Sequence, residues 1–438
     1  MGAMDGLPGT GAAVVDRRPD RAIAAGGMAA AAVLIVLGIL ASLLPPEARR
    51  GIWLPVHLGI AGAASVAIAA VLPFFTATLG VARPVRPAIR TTGVTLPLVG
   101  ILAVATGIAW GPTGLAVAGG LTYLAGVAVV AYAALAPLRR STAPRRLALG
   151  LAATAALVDV TFGALLGTLY AAGAAWVLEH WALLRPAHAW LNVLGFVGVT
   201  IVTTLVHLWP TVLGTRIVPG RAGAGMGIGW GLGPPLVALG LALGSDFVAR
   251  TGAVVALSGA VSLAAFGIAR WRVRGLWTID LAWHRAATGH LAAGMAWGAA
   301  GGGVAAGLVL VHGASPAAWS SAVLLALGVG WIAQTIVGAW THLLPTIGPG
   351  GPVLHAAQRT ILGRAPTARL AAWQLGTALL VAGAVAAGWP AAAGAAEALV
   401  AAGGLFAGAA AIASVALLAR AVALSRGGGD APRYFTSA

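Results

Sequence analysis

Twelve stretches of this chain are each long and apolar enough to cross a bilayer, and that leaves few folds open to it. A hydrocarbon core about 30 Å thick takes about 20 residues of helix, and apolar runs near that length cover 22–44, 53–79, 92–110, 113–137, 147–172, 188–213, 227–247, 250–270, 286–311, 318–345, 368–388 and 394–420. Lipid offers the backbone no hydrogen-bond partner, so runs of this length span as helices. The breaks carry turn and helix-stop residues: Pro45-Pro46, Arg83-Pro84, Gly111-Pro112, Arg139-Arg140, Pro219-Gly220 and Gly348-Pro349-Gly350. Because 92–110 and 113–137 are parted by a very short turn, the count lies between ten and twelve. Only 8% of the residues are charged, against about 25% in soluble domains, which excludes a water-soluble enzyme. The 64 glycines suit closely packed membrane helices. The expected fold is an all-α polytopic membrane protein.

The 26 basic residues are all arginine, and their placement tests that count. With twelve spans and the amino terminus inside, 22 arginines fall in cytoplasmic segments and only Arg49, Arg50, Arg185 and Arg250 fall outside. Such a bias is what the positive-inside rule describes, and it puts both termini in the cytoplasm. It also accounts for the net charge of +16 as membrane topology. The partner implied is the lipid bilayer, and nucleic acid is not needed. The first apolar run, after Arg17-Arg18-Pro19-Asp20-Arg21, is longer than the about 7–15 residues of a cleavable signal. Residues 1–21 therefore read as a cytoplasmic arm, 22–424 as one transmembrane domain, and 425–438 as a flexible cytoplasmic tail. The chain has no cysteine, which excludes disulfides, thiolate metal sites and covalently attached c-type haem.

The sixth and tenth runs share a string. Thr200-Ile201-Val202 with His207-Leu208-Trp209-Pro210-Thr211 matches Thr335-Ile336-Val337 with His342-Leu343-Leu344-Pro345-Thr346, at a constant offset of 135 residues. The second run is a degenerate third copy. Pro73 lies 137 residues before Pro210, Trp53-Leu54-Pro55-Val56 aligns with Trp190-Leu191-Asn192-Val193, and Ala70 replaces the histidine. That period is four helices, so the twelve spans divide into parallel units at about 22–137, 147–270 and 286–420.

Nine histidines are the main chemical resource. His207, His342 and His290 fall near the cytoplasmic ends of their spans, with His284 and His355 in adjoining loops. His57, His188, His180 and His312 fall at the outer ends, His188 opening its span. An ionisable side chain at membrane depth is a functional hypothesis by default, and neutral imidazole suits haem iron and copper. Repeat symmetry would set His207 and His342 across a shared interior, beside Pro210 and Pro345, which could unwind the last turn. These two are the first candidate ligands, followed by His57 and His290, then His188. The competing reading is that each caps a helix or bonds a carbonyl. Asp159 is the sole carboxylate in mid-span. A charge there would cost several kcal/mol, so it is protonated, paired or facing water, either as a proton-handling group or as a neutral structural acid. Trp53, Trp110, Trp190, Trp230, Trp271 and Trp319 lie near span ends and are expected in the interfacial belt. The alternating glycines from Gly223 to Gly229 follow no strand and match no nucleotide loop.

With three four-helix units and histidines on helices 2, 6 and 10, the chain resembles the haem-copper oxidase subunit I superfamily. The likeness is closest to divergent members such as NnrS-like haem- and copper-containing proteins of nitrogen-oxide metabolism. The segment from Trp190 to Thr211 is also similar to the membrane part associated with copper nitrite reductase-like proteins of high-GC Gram-positive bacteria. The resemblance implies a bacterial cytoplasmic-membrane protein binding haem, of b-type since no cysteine attaches it, with copper as a further candidate. It implies a copper-containing redox protein or a quinol as electron partner, and His57 matches the superfamily's outer-side haem ligand on helix 2. The departures are that helix 10 has no histidine in its outer half, and that both the adjacent His-His pair and the His-x-His pattern are missing. Oxygen reduction of the usual kind is therefore not implied. A different class remains open: a proton-coupled secondary transporter using Asp159 and the histidines, for which twelve spans also suit. A third is a structural subunit whose histidines only pack.

Overall fold

The computed structural model describes residues 18–217, 220–275, 281–348 and 351–427. Most of the expected arm and tail, residues 1–17 and 428–438, lies outside them. Twelve helices are long and apolar enough to span: α1 (Pro19–Ser42), α2 (Trp53–Leu79), α3 (Pro87–Ala109), α4 (Thr113–Arg139), α5 (Arg146–Ala171), α6 (Trp181–Val212), α7 (Gly220–Ala242), α8 (Asp246–Arg272), α9 (Ala282–His312), α10 (Pro316–Ile347), α11 (Pro366–Ala386) and α12 (Pro390–Leu424). The short break at Trp110–Pro112 does separate α3 from α4, which gives the upper count.

Several helices begin before their apolar run does, because their first turns carry groups that hydropathy scores as breaks. Asp246 and its Ser245 N-cap open α8, satisfying helix-start N–H groups and the dipole. In the first turn of α3, Arg90 is buried in an ion pair with Asp20 of α1, so neither residue is a free loop charge. The glycine string 223–229 is an ordinary part of α7, and α6 starts at Trp181, placing His188 two turns inside the helix.

The helix contacts repeat every four helices. Within a unit the first helix packs on the second and the third on the fourth. The fourth then packs on the first helix of the next unit, α4 on α5 and α8 on α9, and α12 reaches α1 to complete the circuit. Glycines let the backbones approach: a methyl on Gly229 would overlap Gly259 of α8, and one on Gly376 would overlap Ala407 of α12. Helices α2, α6 and α10 meet one another at the centre. Within their apolar windows 72%, 67% and 61% of residues are buried, against 28–50% in the other nine spans, which makes them the inner layer. Trp190 and Trp230, expected in the belt, belong to this core: Trp190 packs edge-on to Trp319 at 6.0 Å, and Trp230 lies 4.9 Å from Trp331. Among the described residues Trp110, Trp176 and Trp389 are the exposed ones.

Each inner helix contains a π-helical segment at a corresponding level: His57–Gly62 in α2, Trp190–Gly198 in α6 and Ala326–Ala333 in α10. Shifted by the repeat offset of 135, the α10 segment falls on 191–198. A π turn holds one extra residue and changes which face the following residues present. Hydropathy does not see this, because composition through the bulge is unchanged.

Candidate functional site

Histidines 57 and 188 come together at the arginine-poor end of the bundle. Their ring centroids are 6.4 Å apart and their planes differ by 21°. Nδ1 of His57 lies 2.8 Å from the carbonyl oxygen of Trp53, one turn back, and Nδ1 of His188 lies 2.8 Å from the carbonyl of Gly163 on α5. A carbonyl only accepts, so each Nδ1 donates, and the lone pair of each neutral ring is on Nε2. Metal-binding imidazoles are oriented in this same way, the second nitrogen donating to a carbonyl. Trp53 stacks on His57 at 4.1 Å, and Trp181 stands 6.2 Å from His188. The His188 carbonyl accepts from the Asn192 amide at 2.7 Å.

A polar seam continues inward between α5 and α6. The Asn192 side chain sits against Gly163, and the Asp159 carboxyl sits against Gly195, whose missing Cβ would lie 2.9 Å from that of Asp159. Asp159 is 2% exposed, its Oδ2 has no hydrogen-bond partner, and no ion pair among the described residues involves it.

On the opposite side of the centre, α9, α10 and α11 share a buried network. Trp297 Nε1 donates to Gln374 Oε1 at 2.8 Å, Gln374 Nε2 donates to Gln334 Oε1 at 2.8 Å, and Nδ1 of His290 is 3.3 Å from the same Gln334 oxygen. Nε2 of His290 has no partner, and Trp373 stands edge-on to the ring at 5.3 Å. The two glutamines escaped the sequence reading, although an amide inside an apolar span was itself a signal. The same holds for Asn192, and for Arg369, whose buried guanidinium donates to the Leu362 carbonyl at 2.8 Å.

The repeated histidines do not face one another. His342 stacks on Trp283 at 5.9 Å and stands edge-on to His284 at 5.5 Å, both at the start of α9. His207 lies in the field of Arg145, at the start of α5. Each thus turns toward the first helix of its own unit, and among the described residues no hydrogen bond or ring contact joins them. Ala70 keeps the pattern, packing against Gly27 of α1. Pro210 and Pro345 do not unwind the helices at once: α6 and α10 run two residues further, and Thr211 and Thr346 donate to the carbonyls of His207 and His342, both at 2.8 Å.

These arrangements differ in what they could hold. Two metal–nitrogen bonds of about 2.0 Å, plus half a ring on each side, separate imidazole centroids by about 6 Å. The 6.4 Å spacing of the His57 and His188 rings matches one metal centre held by both, whereas among the described residues no ring contact brings His207 and His342 together. Among the described residues no three His, Asp or Glu side chains gather as a protein-only metal site would need.

The span count and the two-layer packing define a multi-pass integral membrane protein. No known family model matches the chain, and no curated protein is similar to it.

Proposed function

We propose that this is a membrane redox protein of haem-copper-oxidase-like architecture, built from three related four-helix units, that binds a b-type haem through His57 and His188. The role that follows is electron transfer or nitrogen-oxide chemistry in a bacterial cytoplasmic membrane. The observation that carries the reading is the paired, near-parallel imidazoles with both Nδ1 atoms donating to backbone carbonyls. The threefold reading is supported by the four-helix contact period and the three level π segments.

A haem iron there would supply one-electron chemistry. The residues do the rest: the Trp53 and Gly163 carbonyls hold the rings in register, while Trp53 and Trp181 flank the pair with flat apolar surface. A copper ion is the other centre two imidazoles would suit, and metal analysis separates the two.

The test is the visible spectrum of purified protein, oxidised and dithionite-reduced, with metal content measured on the same sample. His57→Ala and His188→Ala should each abolish the six-coordinate haem signal, while His207→Ala and His342→Ala keep it. A colourless, metal-free protein after expression with haem supplied overturns the proposal, as does a spectrum unchanged in both His57→Ala and His188→Ala. Asp159, buried without a partner, favours the second reading, a proton-coupled transporter. On that reading Asp159→Asn abolishes pH-driven uptake, and the chain carries no haem.

A further inference from the structure

A cavity of about 80 Å³ lies where the three inner helices meet, and apart from Met28 its whole wall comes from α2, α6 and α10. The wall follows the repeat. Ala67, Thr204 and Ala339 form one level, and Val71, Leu208 and Leu343 the next, at the 137- and 135-residue offsets read from the sequence. The cavity therefore sits on the axis relating the units.

Side chains stand at both ends of it. Toward the arginine-poor end, Ile60 of α2 fills the space over Gly328 of α10. Toward the other end, Val71, Phe75, Trp340 and Leu343 separate it from a smaller space of about 20 Å³ beside Arg21. The wall is almost wholly apolar, with Thr200, Thr204 and Thr335 its only hydroxyl-bearing residues and the Thr335 hydroxyl buried without a partner. The Thr200 hydroxyl donates to the Phe196 carbonyl at 2.8 Å, and the Thr335 hydroxyl turns toward α9, 3.0 Å from where a Cβ on Gly294 would be.

We propose that this axial cavity is a binding site for one small uncharged apolar molecule, of the size of a diatomic gas. Three alternatives fit less well. A buried water needs two to four polar partners, which this wall does not assemble. A drug-sized ligand needs a pocket of about 300 Å³ or more. A ring compound is too large as well, since benzene occupies engineered cavities of about 150 Å³. An apolar gas concentrates in the bilayer and reaches the axis between helices. The inference rests on the wall alone and not on the haem reading.

Xenon is the probe. Nanodisc-embedded protein under xenon pressure, followed by ¹²⁹Xe NMR against empty nanodiscs, should show saturable binding. Ala339→Leu, which fills the cavity, should lower that binding at least five-fold, while the isosteric Thr204→Val keeps it. Should the filled variant fail to fold, xenon density in crystals of the unaltered protein decides: density on the axis supports the site. Binding unchanged in folded Ala339→Leu overturns the proposal, as does an axis filled by ordered water or an acyl chain. Haem content should be the same in Ala339→Leu, so loss of either reading leaves the other standing.

Discussion

His57 and His188 are 131 positions apart, which is not the repeat offset, so no symmetry argument from the sequence could pair them. What pairs them is a carbonyl under each ring and the rotation of two helices. Neighbouring residues show the same dependence on a single partner. Gly195 exists to admit Asp159, so Gly195→Val should cost about 1–3 kcal/mol by overpacking, and Asp159→Ala in the same chain should recover much of it. Thermal denaturation in detergent would show this, and a double variant no more stable than Gly195→Val would contradict it. At the other end, Asp20 and Arg90 are each 2% exposed. Removing one partner strands a buried charge, so Asp20→Ala should destabilise by about 3–5 kcal/mol, and Asp20→Ala with Arg90→Met should restore most of the loss.

Helix existence was legible almost throughout, and helix register was not. Apolar runs located all twelve spans because transfer into lipid is a property of each residue and needs no knowledge of its neighbours. The starts of α3, α6 and α8 were read late, since Arg90, Arg185 and Asp246 lower the local hydropathy while the folded chain caps, pairs or exposes them. The π segments left no compositional trace. They decide where His188 points relative to the lower half of α6, because one residue more or less turns a helix by about 100°. Deleting Val193 from the α6 segment should therefore swing His188 away from His57 and abolish the spectral signal assigned to that pair. The same deletion should leave the protein monodisperse in size-exclusion chromatography; a retained spectrum would show that the π turn does not set the pairing.

At the scale of the whole molecule, three inner helices surrounded by nine explain both the burial pattern and the cavity between them. An unfilled space of about 80 Å³ costs up to about 2 kcal/mol at about 24 cal/mol per Å³. Ala339→Leu should therefore melt higher than the unaltered chain, whereas Leu208→Ala should melt lower. Equal melting temperatures would mean that the cavity closes by relaxation. The arginine bias carries its own prediction at this scale. A reporter after Gly427 should be active in the cytoplasm, and one inserted between Pro46 and Arg49 should be active only outside.

The sequence by itself determined that the chain is helical and membrane-spanning, that it crosses ten to twelve times, and which end of the bundle is basic. Those properties follow from transfer free energies and charge, summed along the chain without regard to what touches what. Only the tertiary structure decided that His57 meets His188, that His342 meets His284, that Asp159 lies against Gly195, and that an apolar space remains on the axis. Such meetings depend on helix rotation, level and bulging, which are set jointly by side chains distant in the chain and are invisible to any one segment read alone.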